Sequence, residues 1–337
     1  MDDSGYSAIL RKSSKSHHLG TLLLLLFWLG VAGTVYANQQ RIIDWWKLRG
    51  YTPPAAVATL ATEDTMTEYA RHLFYVNKPV LVAGGAFTAS CPVGGEKTVV
   101  LGCYKSGDSG IWLYDVTDAR LTGVEQVTAA HEMLHAAYMR LSRAERTRID
   151  GLLQDYYKHG LSDSRVKLTI AAYQKTEPDA IANEMHSIFA TEVAELPASL
   201  ETYYSRYFSN RAAVTAFTQR YQGEFTSRQD QVKAYDAQLA VLKSSIESGQ
   251  STLQSQRASI DAQMSQMEQL KSNREYTAYN AQVPVYNQLV NSYNRLLTTT
   301  RDQIAEYNEI VEKRNATALE ERQLVQALSP SSLPSAR

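Results

Sequence analysis

His131-Glu132-Met133-Leu134-His135 decides how this chain reads. It lies within Gly123–Leu141, where Val124, Val127, Ala130, Leu134, Tyr138 and Leu141 recur at helical spacing. Residues four apart on a helix stack on one face, so His131 and His135 can aim both imidazoles at a single point. That arrangement suits a metal ion. Neutral imidazole is a good zinc ligand, and zinc can keep a further position open for water or substrate. Glu132, one residue along, is placed to take a proton from a zinc-activated water. With only three fixed positions, the pattern has a plainer alternative: two solvated or packed histidines beside a surface glutamate. The small residues Thr128-Ala129-Ala130 ahead of it and the apolar strand upstream favour the metal site.

In that context residues 98–195 resemble the zincin metallopeptidases. The resemblance implies Zn2+ on His131 and His135, Glu132 as general base, and hydrolysis of a bond in a peptide or protein substrate. A catalytic zinc usually takes three protein ligands. A helix predicted over Pro178–Glu195 offers Glu184, His186 and Glu192. Glu184 and Glu192 lie about 80° apart around such a helix, whereas His186 is about 200° from Glu184 and points elsewhere. The pair Asn183-Glu184 resembles the gluzincin branch, the thermolysin-like enzymes, which implies Glu184 as third ligand. Those enzymes tend to carry an Asp four residues later that orients a histidine, and here the position is Ile188. Glu192 is then the candidate for that supporting role. The roles of Glu184 and Glu192 remain open to exchange, with His186 a further alternative ligand. His186, Tyr173, Tyr203 and Tyr204 are candidate donors to a developing oxyanion.

Composition limits the other readings. Lys+Arg 34 against Asp+Glu 35 leaves a net charge of −1 over 337 residues, with no basic stripe interleaved with aromatics. Nucleic acid is therefore set aside as a partner. Tyr, at 21 residues against 7 Phe, suggests packing surfaces with wet edges. Cys91 and Cys103 form no Cys-x-x-Cys pair. Outside the cytoplasm they would close a short disulfide loop; otherwise they are two buried thiols.

The ends of the chain carry different signals. Residues 1–18 are polar and basic, and Leu19–Ala37 carries no charge. Nineteen such residues approach the ~30 Å hydrocarbon core. The basic flank should stay cytoplasmic, which places the remainder outside a cell membrane crossed once. The segment reads as an uncleaved signal anchor or, since Val35-Tyr36-Ala37 has a small-x-small form, as a cleavable signal peptide. Residues 38–61, with Trp45, Trp46 and Pro53-Pro54, read as a juxtamembrane helix and linker.

A globular, zincin-like domain is expected over 62–222. It should hold a helix over Thr65–Val76, strands at Val80–Val82, Thr98–Tyr104 and Ile111–Val116, and a loop at Gly84-Gly85. Ile111–Val116, next to the motif helix, is the strand expected to pair with extended substrate. Ser142–Glu145 is a capping box for a further helix, which His159-Gly160 ends. From 223 to 328 the pattern is heptad. Val232, Leu239, Ile246, Leu253, Ile260 and Met267 are seven apart, with Tyr235, Leu242, Gly249, Gln256, Gln263 and Leu270 three beyond each. After a break over Lys271–Val285 a second run begins at Tyr286 and Leu289. Two runs joined by a break predict an antiparallel hairpin, and 329–337 should be disordered.

The expected fold class is α+β, mostly α: a zincin-like metallopeptidase domain followed by a long antiparallel coiled-coil hairpin. The expected function is that of a membrane-anchored, extracytoplasmic zinc metallopeptidase. The alternative is an inactive zincin-like envelope scaffold that recruits a protein partner through its coiled coil.

Overall fold

The computed structural model describes residues 15–91, 101–105 and 110–330, with side chains from residue 20 onward. The start of the strand expected at 98–100, the turn at 106–109, most of the basic N-terminus and residues 331–337 of the tail lie outside that range.

Helix α1 (Lys15–Leu48) is long and apolar enough to cross a membrane, and Leu22–Leu29 are all more than half exposed. It runs unbroken past residue 37, where a separate juxtamembrane segment was expected, because no proline or glycine interrupts Asn38–Leu48. Gly50, at φ +75°, turns the chain out of it. Helix α2 (Ala55–Glu63) follows Pro53-Pro54. It belongs to the core rather than to a linker, since Val57, Leu60 and Ala61 are buried. Helix α3 (Glu68–Val76) starts later than expected. Thr65, at φ +52°, cannot be helical, and the Thr67 side chain caps the first turn by accepting from the Ala70 N–H at 3.2 Å.

Among the described residues three strands form one sheet: β1 (Val80–Val82), β2 (Gly102–Lys105) and β3 (Gly110–Tyr114), in the order β1-β3-β2. β3 pairs parallel with β1 and antiparallel with β2. Both edges of β3 are therefore occupied, so it cannot receive an extended substrate as expected; β2 is at the edge. Between β1 and β2, helix α4 (Gly84–Ser90) replaces the expected Gly84-Gly85 loop. It brings the fully buried Phe87 against Tyr114, ring centroids 5.7 Å apart. A disulfide joins Cys91, at its end, to Cys103 of β2.

Helix α5 (Val124–Met139) is central, packed against α2, α3, β2 and β3. All six positions that gave its helical spacing are buried. Gly123 opens it at φ +108°; a Cβ there would meet the Phe217 carbonyl at 2.9 Å. Helix α6 (Arg143–Asp155) begins with the capping box predicted at Ser142 and Glu145 and ends in a π-turn, Tyr156–Gly160. Helices α7 (Ser164–Thr176), α8 (Ile181–Glu192) and α9 (Ala198–Tyr204) complete the globular part.

The long pair is α10 (Arg211–Ser272) and α11 (Tyr276–Ala327). They run antiparallel: Arg228 pairs with Glu320 at 3.2 Å, Asp236 with Arg314 at 2.8 Å, and Gln263 donates to Gln282 at 3.0 Å. Every a and d position of the first heptad run is at least partly buried. Gly249 lets the helices approach closely, since a Cβ there would sit 2.7 Å from the Thr300 hydroxyl. The break is only Asn273–Glu275, with Arg274 at φ +63°. Pro284, expected to lie in that break, sits inside α11 on an exposed face, where water can serve the carbonyl it deprives of a donor. α10 starts at Arg211, within the globular part, and its first turns are packed in the core. Arg211 is buried, donating to the carbonyls of Ala190, Val193 and Ala194 at 3.1, 2.6 and 2.9 Å. The other end of the hairpin returns to the globular part, where Leu324 packs with Leu121 and Val124.

Asp64, at the C-terminal end of α2, is fully buried, and neither carboxylate oxygen has a hydrogen-bond partner among the described residues. Burial, with Glu63 adding repulsion, holds its carboxyl well above the ordinary 3.8. The folded protein therefore binds a proton that the unfolded chain releases above that value, and stability falls as pH rises from there towards the folded pKa. Asp64→Asn removes this loss. Its gain in thermal unfolding temperature should be larger at pH 7 than at pH 4; an equal gain at both would contradict the burial account.

Candidate metal centre

Helices α5 and α8 bring the site together. His131 and His135 lie one turn apart on α5 with ring centroids 4.6 Å apart. Glu184, in the first turn of α8, faces both: its two oxygens lie 3.7 Å from His131 Nε2 and 3.5 Å from His135 Nε2. One ligand atom from each residue lies within 4.8 Å of the others. These separations exceed an N–H···O hydrogen bond, which rarely passes 3.2 Å. They are close to the ~3.3 Å between neighbouring ligand atoms of a tetrahedral ion bound at 2.0–2.1 Å. Burial opposes the charge of Glu184, but the two imidazoles outweigh it and hold its carboxyl below the ordinary range.

Glu132 lies beside this trio, buried between α5 and β2. Burial pushes its carboxyl up to about 7, against the opposing pull of His135 and a hydrogen bond from the Tyr104 backbone. Gly102 makes this close approach possible. A Cβ on it would lie 2.5 Å from Thr128 Cγ2 and 2.7 Å from Glu132 Oε1. The sequence contained the clue in a glycine inside an otherwise apolar strand pattern, a common mark of close backbone approach.

The four residues of β2 line a cleft of about 470 Å³ together with His131, Glu132, His135 and Glu184. Met139, Tyr173, Glu177 and Asn183 line other parts of it. The disulfide between Cys91 and Cys103 lies in the wall beside β2.

Two sequence-stated candidates fall outside the cluster. Glu192 is ion-paired with Arg165 of α7, so it neither joins the trio nor orients a histidine. Two turns of helix carry it away from Glu184 along the axis as well as around it. The group at the other nitrogen of His135 is instead the Ser187 hydroxyl, 3.3 Å from Nδ1. The sequence reading missed Ser187 by looking only for a carboxylate. His186 is fully buried and not a ligand: its Nε2 meets the Tyr203 hydroxyl at 2.9 Å, and burial, helped by His135 and His131, lowers its pKa to about 3. Tyr203 and Tyr204 pack around His186 rather than lining the cleft. Of the four candidate oxyanion donors, only Tyr173 lines it.

The chain matches no protein-family model, no curated protein and no solved structure.

The contact at Gly102 sets a paired prediction. Gly102→Ala should destabilise by about 1–3 kcal/mol in urea unfolding, because Thr128 and Glu132 must shift. Gly151→Ala, on α6 with nothing within 4 Å of the added Cβ, should stabilise by roughly 0.5–1 kcal/mol. Equal effects would mean that β2 does not press on Glu132.

Proposed function

We propose that this protein is a zincin-type zinc metallopeptidase, attached to a membrane through α1, that hydrolyses peptide bonds in its extracytoplasmic cleft. The observation that carries this reading is the spacing of Glu184 from His131 and His135, 3.7 and 3.5 Å, which suits ligands around one ion better than a hydrogen bond. The basic N-terminal flank supports an orientation with the cleft outside.

His131, His135 and Glu184 would hold the zinc. Bound there, zinc would supply a Lewis acid that makes water acidic near neutral pH and polarises a carbonyl. Glu132 is the proton carrier. Buried beside the trio, its carboxylate is positioned to accept a proton from a zinc-activated water and return it to a leaving amine. Among the described residues β2 is at an edge of the sheet and lines the cleft, so an extended peptide could lie along it, beyond the Tyr104 N–H that Glu132 already engages. Tyr173, which lines the cleft, is the candidate donor to an oxyanion. Ser187 steadies the His135 ring.

Two measurements test the reading. Zinc bound per chain should fall sharply in Glu184→Ala and persist in Glu192→Ala. Glu132→Gln should keep its zinc and lose at least about 10²-fold in hydrolysis of a denatured protein substrate. A parent chain that is folded but binds no zinc would rule out the peptidase.

A further inference from the structure

The foot of α1 is fastened to the helix that carries both histidines. Asp44, near the end of α1, is buried and receives two hydrogen bonds from Arg140, at 2.6 and 2.9 Å. His72 of α3 meets the same carboxylate at 2.9 Å, and Gln40 donates to it at 2.9 Å. Arg140 directly follows α5, five residues beyond His135. Only residues 49–54 separate α1 from α2, so this contact leaves the globular part no long tether on which to swing.

The distances place the cleft close to the bilayer. Asp44 is seven residues past the apolar run that ends at Ala37, about 10 Å along the helix. A headgroup layer adds roughly 5–7 Å to each side of the hydrocarbon core, so Asp44 sits near its outer face. Trp45 and Trp46 beside it are 57% and 61% exposed, as rings at a membrane interface would be. From Arg140 back to His135 is about 7.5 Å of helix. Met139, 49% exposed and next to Arg140, is on the rim of the cleft.

From this placement we infer that the substrates are membrane-anchored polypeptides, cut at bonds within about ten residues of where they leave the bilayer. An extended chain covers about 3.3–3.6 Å per residue. Six or so residues therefore span the roughly 20 Å that the two side chains and the helix rise put between the headgroups and the histidines. This inference rests on the peptidase reading and narrows its substrate class; the Asp44 contact does the selecting by fixing the height of the cleft.

The test uses the full chain in phosphatidylcholine–phosphatidylglycerol vesicles. The probe is a single-span reporter with a long unstructured outer tail that repeats one cleavable sequence, beside the same tail free in solution. The parent chain should cut the anchored tail in its first repeats. Asp44→Ala should shift the cuts outward while its rate on the free tail stays within about twofold of the parent. Cuts spread along the whole anchored tail by the parent, or cut positions unmoved by Asp44→Ala, would overturn the inference. If neither tail is cut, the peptidase reading fails, and the placement is decided by fluorescence. A label on Met139→Cys should be quenched by headgroup-attached quenchers in the parent and several-fold less in Asp44→Ala. An unquenched label in the parent would overturn the placement.

Discussion

The carboxylate of Glu184 faces the imidazoles of His131 and His135 across the seam between α5 and α8, and much of the globular part serves to keep it there. Each of these groups would be costly to bury without a polar partner. The surroundings are apolar: Met133 and Leu134 of α5 and Ile188 and Phe189 of α8 belong to one core cluster and are essentially inaccessible. Register is the critical constraint. A slip of α8 by one residue would rotate Glu184 by 100° and take it out of the cleft. Two polar contacts at the far end of α8 resist that slip. Arg211 ties down the carbonyls that leave the helix, and the Thr218 hydroxyl donates to the Thr191 carbonyl at 2.7 Å.

Both long appendages thus attach to the helices that form the site, and each does so through a buried polar group. α10 reaches α8 through Arg211; α1 reaches α5 through Asp44 and Arg140. Apolar packing alone permits many near-equivalent arrangements. A buried charge with fixed donors permits few, because each displacement leaves an ionised group unpaired. The arm is accordingly an extension of the core, and its far end is fixed again where Leu324 packs on Val124 at the start of α5.

Periodic features were legible in the sequence. The helix carrying His131 and His135, the capping box at Ser142 and the heptads of the arm each repeat a local rule, and the folded chain follows them closely. Glu184 was legible as a ligand candidate through its resemblance and helical position, and its competitor Glu192 could not be dismissed without knowing that Arg165 lies beside it. What was hidden depends on contacts distant in sequence. Strand order cannot be read from β2 and β3 separately, so the edge facing the cleft was assigned to the wrong strand. Ser187 gave no signal, because a serine beside an imidazole leaves no periodic trace. Pro284 looked like a break, but a proline on a solvent-facing side of a packed helix can be tolerated. Heptad spacing emerges only beyond the root of α10, where the helix is still packed in the core.

The most direct measurement is X-ray absorption at the zinc edge on the folded, zinc-loaded chain. The account predicts one zinc per chain with only nitrogen and oxygen neighbours at about 2.0–2.2 Å, including the multiple-scattering signature of two imidazoles. A spectrum with sulfur neighbours near 2.3 Å, or with fewer than two imidazoles, would contradict the centre built from His131, His135 and Glu184.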